Sequence, residues 1–339
     1  MKKKEDIEIT RPVIEPSILL VDGNYFLHRV MHTPAFLSLQ TLEGRMTGGV
    51  YGVIRTIHAT LKVFPTCGKC FVCWDGGRSR RREHLLPDYK KNRDEDPDAT
   101  LEEKQEKAEY TKNFEDQKKE LQRGLGFLGI RQLELPDREA DDLIGWVTLN
   151  LPEAKVVVTE DRDLLQLVYP YCSIFQPMKE VCVTAENFQE TTGVPVNLFL
   201  LSKALSGDKS DNIPGIPKVG DTIVKRVMKK VLEIWDGAER LSETLTKACH
   251  LQAEIDTRNR ARYGSIVEHM ADVGRNLQLV SIRQEVATFR TEEGAALQDV
   301  ASQPCHFNQI GALSWLGDLE FQSIIGDFSA FTERFGVLR

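Results

Sequence analysis

The chain has no stretch approaching the roughly 18 consecutive apolar residues that a membrane-spanning helix needs. Its start, MKKKEDIEIT, is basic with acids behind it and has no apolar core of the kind an export signal carries. The expectation is a cytoplasmic protein, neither secreted nor inserted in a membrane. Positive charge is also in short supply: 44 Lys and Arg face 51 Asp and Glu, for a net charge of −7. That balance argues against a nucleic-acid partner only if the acids stay uncompensated. Two divalent cations among them would carry four positive charges, bring −7 to −3 and leave the basic residues to act as separate patches. Seven cysteines, an odd number over 339 residues, fit reduced thiols in a cytoplasm better than a disulfide framework. Cys67, Cys70 and Cys73 offer half the spacing of a zinc site, but no second C-x-x-C or close His pair completes four ligands. They read as small apolar residues at a strand start. There is no clear internal repeat.

What is present is enough apolar material, 41% of residues, to bury one large core or two ordinary ones. The first half alternates strand-like and helix-like segments. SILLVDGN reads as a strand and turn, MTGGVYGVIRTIHATLKVF as a helix, and KCFVCWDGG as a second strand and turn. A charged stretch from Arg78 to Arg123 interrupts the pattern, with few large apolar residues, and reads as a solvated helical insertion. GIRQLEL, READDLIGWVTLNL, AKVVVTEDRDLLQLV and CSIFQP then resume the alternation. Strands separated by helices predict a mostly parallel sheet covered on both faces. From about residue 195 the spacing becomes helical, in VNLFLLSKALSG, TIVKRVMKKVLEIW and RYGSIVEHMADVGRNLQLV. The division expected is a tail over 1–16, an α/β domain over 17–194 carrying the insertion at about 78–123, and a helical subdomain over 195–339.

Acids recur where strands end. Asp22 closes the first strand and Asp75 the second; Asp161 and Asp163 follow VVVT, and Glu139, Asp141 and Asp142 follow the LELPDR turn. Each alone is explained by Asp-Gly turns or helix caps. In a parallel sheet, however, the carboxyl ends of the strands share one edge, where ligands bind. Crowded carboxylates with no His or Cys nearby repel unless a hard cation lies among them, which points to Mg²⁺ or Mn²⁺. A further pair, Asp208 and Asp211 in GDKSDNIPGIPKVGDTIVKRV, is spaced so that a helical turn would point both the same way. Gly215 and Gly220 bracket a tight turn, after which Lys225, Arg226, Lys229 and Lys230 form a basic face. This pattern suits a helix-hairpin-helix that grips backbone phosphates without reading sequence.

In this order, LLVDGN, WDGG, YKKNR, EADD, TEDRDLLQL and GDKSDNIPGIPKVG resemble the 5′ nuclease family, over roughly Ser17 to Lys230. That family comprises flap endonucleases, the 5′ nuclease domains of bacterial DNA polymerases and bacteriophage 5′ exonucleases or ribonucleases H. YKKNR, EADDLI and GDKSDN look most like the phage ribonuclease H branch. The resemblance implies a PIN-like α/β fold with a helical arch and a helix-hairpin-helix over about 198–230. It implies two Mg²⁺, with Mn²⁺ as a substitute, on Asp22, Asp75, Glu139, Asp141, Asp142, Asp161, Asp163, Asp208 and Asp211. It places Lys90 and Arg93 at the scissile phosphate and Tyr89 where it could stack on a base. Lys203, Lys218, Lys225 and Arg226 become phosphate contacts, and a K⁺ is implied on backbone carbonyls around GIPKVG. Asp221 departs from the lysine that many members carry there, which puts one phosphate contact in doubt.

The function implied is a monomeric, structure-specific 5′ nuclease. It would use two metal ions to cut flaps or RNA primers at a junction of single- and double-stranded DNA, an RNA–DNA hybrid being a further substrate and replication proteins further partners. If encoded by a phage, it would work in the host cytoplasm. Two other readings stay open on the residues alone: a non-catalytic DNA-junction binder of the same fold, and a PIN-type ribonuclease.

Overall fold

A computed structural model of the chain describes residues 12–93, 99–235 and 240–338. The expected tail lies outside the described residues up to residue 11, as does 94–98 of the expected arch. The described residues form two compact units, the first of 12–78, 99–184 and 286–338, the second of 79–93, 185–235 and 240–285.

The first unit is built on a six-stranded sheet. In chain order its strands are β1 (Ile18–Asp22), β2 (Lys69–Cys73), β3 (Arg131–Leu133), β4 (Lys155–Val158), β5 (Cys172–Gln176) and β6 (Val181–Val183). They lie in the order β3-β2-β1-β4-β5-β6. All neighbours run parallel except β5 and β6. Aliphatic runs such as ILLV and KVVV suit strands buried on both faces, and every residue of β1 and β4 is buried. Four helices follow strands or cross between them: α1 (Gly23–Met31), α2 (Gly48–Val63), α3 (Leu101–Phe127) and α4 (Ala140–Asn150). Strand order reverses between β1 and β4, the place where open α/β sheets take their ligands.

Cys67, Cys70 and Cys73 are buried along β2 and just ahead of it. Burial pushes the Cys67 thiol up to about 12 and the other two well above the ordinary thiol range. These thiols stay protonated and pack as apolar groups.

Two boundaries differ from the expected ones. The expected insertion is not solvated throughout. α3 opens with a capping box between Thr100 and Glu103, and its residues 101–109 are exposed. Phe114, Lys118, Leu121 and Leu125 then fall at helical spacing and are buried. That stripe is hidden in the sequence by the lysines and glutamates around it. The expected helical subdomain to 339 is also corrected, because residues 286–338 belong to the first unit. Trp315, Leu316, Phe331 and Phe335 are buried in the same core cluster as Leu19 and Val21 of β1. Trp315 lies on Gly124 of α3, where a Cβ would stand 1.9 Å from the indole, and its Nε1 donates to Glu120 Oε1 at 2.8 Å. Period-3.6 apolar spacing shows that a helix has a face to bury, but not which core receives it.

The second unit is helical, with α5 (Phe199–Ser206), α6 (Asp221–Ile234), α7 (Leu241–Ile255), α8 (Arg260–Glu268) and α9 (Met270–Val280). Its core gathers Leu201 and Leu205 of α5, Val224 and Val227 of α6, and Tyr263 and Ile266 of α8. Between α5 and α6, Asp208 and Ile213 exchange backbone hydrogen bonds of 2.8 and 2.7 Å. Residues 209–212 therefore close a tight loop, with Asn212 at φ 57°, in place of the helical turn expected.

Truncating Trp315→Ala should cost about 3–5 kcal/mol, the usual penalty for emptying a large buried aromatic site. A lower denaturant midpoint for the transition reported by the first unit's core would show it. An unchanged midpoint would mean that the C-terminal segment does not share that core.

Candidate active site

Registers along the sheet bring the strand-end acids to one edge. Asp22, last in β1, is level with Cys73, last in β2, and Val21 is level with Val158, last in β4. Asp22 caps α1, its Oδ1 accepting from the Tyr25 N–H at 2.9 Å. Gly23 beside it has no alternative, since a Cβ there would lie 2.6 Å from the Trp74 ring. Two residues beyond β2, Asp75 donates its N–H to Asn24 Oδ1 at 3.0 Å, which ties the ends of β1 and β2 together. Asp75 Oδ1 in turn accepts from the Ala140 N–H at 2.7 Å, at the N-terminus of α4. Glu139 is the N-cap residue of that helix, and Asp141 and Asp142 lie in its first turn. Four acids thus share one helix N-terminus, whose dipole and orphan N–H groups favour negative charge.

β4 leads into a turn of the same kind. Thr159 Oγ1 accepts from the Asp161 N–H at 2.9 Å, and Asp161 Oδ1 from the Asp163 N–H at 2.8 Å. Electrostatics register the convergence. The fully buried Cys73 thiol is pushed up chiefly by burial, then by Asp22 and Asp141. The Tyr25 hydroxyl is likewise raised by burial, against Arg29, with Glu160 and Asp161 adding to it. Asp22 and Glu139 are each 5% exposed and Asp142 is fully buried, whereas Asp141, Asp161 and Asp163 are partly open and Asp75 is exposed. Among the described residues, no three His, Cys, Asp or Glu side chains stand close enough to hold a metal ion in the positions they occupy. Asp22, Asp75 and Asp161 each accept from a backbone N–H instead.

In the second unit the YKKNR segment wraps the 208–213 loop. Arg93 Nη2 donates to Asp211 Oδ1 at 2.7 Å, Tyr89 Oη donates to Asp211 Oδ2 at 3.1 Å, and Lys90 Nζ is 3.8 Å from the same carboxylate. Lys203 Nζ donates to Asp208 Oδ2 at 2.8 Å. Burial alone would raise the Asp208 carboxyl, but the Lys203 charge and hydrogen bonds from Lys203 and Ser210 outweigh it and hold it below its ordinary value. Lys90, Arg93 and Lys203 are therefore engaged by the expected acids themselves.

One expected nucleic-acid contact changes, that of Tyr89, and another, Arg226, is exposed but paired. Tyr89 is 2% exposed and packs with Ile213, Leu279 and Val280, so its ring is not a stacking platform for a base. Arg226 is paired with Asp256, which also accepts from Tyr263 Oη at 3.0 Å. Lys218 and Lys225 are exposed as expected. Asp221 stands in the first turn of α6, a position the helix dipole favours for an acid. Two basic residues at the acidic edge were not foreseen. Lys118 of α3 is buried and donates to the Asp75 carbonyl at 3.2 Å and to Glu134 Oε1 at 2.9 Å. Arg138 precedes Glu139 and pairs with Glu293, 155 residues away. Neither residue lies in a recognisable motif; only their fold contacts reveal them.

The description "5′-3′ exonuclease, N-terminal resolvase-like domain" matches residues 17–193, just over half of the chain. A curated 5′-3′ exonuclease of Bacillus subtilis is 33% identical over 238 residues, covering 68% of this chain and 74% of that one. The chain belongs to the 5′-3′ exonuclease family. A second relative, the 5′-3′ exonuclease of Buchnera aphidicola from Acyrthosiphon pisum, is 32% identical over 206 residues, covering 60% of this chain and 66% of its own length. The fold is shared with the bacteriophage T5 D15 flap endonuclease, solved as a complex with DNA and metal ions. The TM-score is 0.61 at 19% identity, over 84% of this chain and 99% of that one. The protein is a nuclease of this family, a hydrolase of phosphodiesters.

Replacing Lys203 by Met leaves Asp208 of the nuclease with its burial and without its counter-charge. At neutral pH the variant should be less stable than the parent. Because the Asp208 carboxyl is depressed in the parent, its contribution is present above the unfolded carboxylate value of about 3.9 and lost as pH falls through the folded one. The stability gap, measured by urea unfolding from pH 7 downward, should close in acid. A gap independent of pH would contradict the pairing.

Proposed function

We propose that this nuclease cuts a phosphodiester near the junction of single- and double-stranded DNA, removing 5′ flaps or RNA primers, with divalent cations held at the acidic sheet edge. What supports this reading is that Asp22, Asp75, Glu139, Asp141 and Asp161 all lie on the edge formed by the carboxyl ends of β1, β2 and β4 and the N-terminus of α4. The donor set is carboxylate oxygen alone, which suits Mg²⁺ or Mn²⁺. Asp163 follows Asp161 in the same turn, and Asp142 is fully buried in the first turn of α4. Asp208 and Asp211 keep their assignment as cation ligands on the resemblance to the family. When bound, such cations would polarise the phosphodiester and make water acidic enough to attack at neutral pH.

The remaining chemistry falls to side chains of this chain. Lys90 and Arg93 would place positive charge against the phosphate oxygens as negative charge grows on them, once phosphate displaces Asp211 as their partner. Lys218 and Lys225 would meet backbone phosphates without reading bases. Selectivity then rests on the shape of the junction and on access of a single-stranded 5′ end.

Asp161→Asn should lower cleavage of a 5′-labelled flap substrate by roughly two or more orders of magnitude, while a gel shift still shows binding. Full cleavage by the variant, or undiminished parent activity after chelation, would remove the cation assignment. Matched flap, nicked and RNA-primed substrates, sized on the same gel, would rank the activities.

A further inference from the structure

The loops after β2 and β3 are joined by their backbones just where two of the site acids sit. The Gly76 N–H donates to the Arg138 carbonyl at 2.9 Å, and the Asp137 N–H donates to the Gly76 carbonyl at 3.1 Å. A side chain at Gly76 would lie 2.0 Å from the Leu135 carbonyl oxygen, so the two loops are as close as backbones can pack. Asp75 precedes this junction and Glu139 follows it. Arg138 extends its guanidinium into the segment 288–293. Its Nε and Nη2 donate to Glu293 Oε1 and Oε2 at 3.1 and 3.0 Å, a bidentate pair. Nη1 donates to Thr288 Oγ1 at 3.1 Å, Nη2 reaches the Thr288 carbonyl at 3.2 Å, and the guanidinium lies over the Phe289 ring at 4.2 Å. Both side chains are largely buried, at 12% and 8% exposure. Glu293 is itself anchored, accepting from the Arg290 N–H at 2.7 Å at the start of the helix Thr291–Ser302.

We infer that Arg138 and Glu293 are positioning residues for the nuclease reaction: the pair fixes the Gly76–Arg138 junction and through it the backbones of Asp75 and Glu139. The segment after residue 285, outside the family match at 17–193, thereby becomes part of the apparatus that sets the site. A buried, bidentate pair with a stacked ring holds one geometry, whereas an exposed pair would sample many. Groups that orient cation ligands from behind commonly change affinity or rate by 10–100-fold when removed. Asp75 and Glu139 enter as cation ligands, so the inference rests on the function proposed above.

The test compares Glu293→Gln, Arg138→Lys and Arg138→Ala with Glu139→Gln in the full chain. Each is measured by flap-cleavage kinetics and by Mn²⁺ binding without DNA, followed by electron paramagnetic resonance. With native circular dichroism retained, Glu293→Gln and Arg138→Ala should lower kcat and weaken Mn²⁺ binding about tenfold or more, leaving KM for DNA within about twofold, and Arg138→Lys should recover part of both. Should Arg138→Ala fail to fold, Glu293→Gln, which changes one oxygen to an amide, decides alone. Folded Glu293→Gln with parental kcat and Mn²⁺ affinity, beside an impaired Glu139→Gln, overturns the inference and leaves the site intact. A Glu139→Gln variant with parental values overturns the site assignment itself.

Discussion

Repulsion between like charges at one sheet edge is the constraint around which the first unit is arranged. Parallel strands in level register put Asp22, Asp75 and Asp161 along one edge of the sheet, and α4 adds Glu139, Asp141 and Asp142. Each of the first three accepts from a backbone N–H, on Tyr25, Ala140 and Asp163. Two of those donors open α-helices, so the acids sit at the positive ends of the helix dipoles. The same requirement explains the glycines at 23 and 76, which let backbone and ring approach where a Cβ would collide. A cation at this edge would take over the compensation that the N–H groups provide.

In the second unit the balance of charge is met by side chains. Asp208 holds Lys203, Asp211 holds Arg93 with Lys90 nearby, and Asp256 holds Arg226. Four basic residues expected to meet phosphate therefore already have carboxylate partners. Lys90 and Arg93 both face Asp211, so the 208–213 loop sets the surroundings of both charges. Asp211 reaches these partners because the loop closes on itself between Asp208 and Ile213, with Asn212 in the left-handed region that asparagine tolerates.

The alternation of strand and helix through residue 176 and the acids at strand ends were legible because each depends on local pattern: aliphatic runs of strand length, helical spacing, and Asp at turns. The ends of the units were not. The Phe114, Leu121 and Leu125 stripe is spread through a run of lysine and glutamate. The segment carrying Trp315 looks like any amphipathic helix until the partner at Gly124 is seen.

The order of the acids along the chain and the motifs that mark the family were determined by the sequence alone, because they are properties of residue type and short spacing. Tertiary structure alone decided which acid compensates which base, that Tyr89 is interior, and that Arg138 reaches Glu293 across 155 positions. Those outcomes depend on distances between segments far apart in the chain. No local propensity encodes them, and only the packing of the two cores sets them.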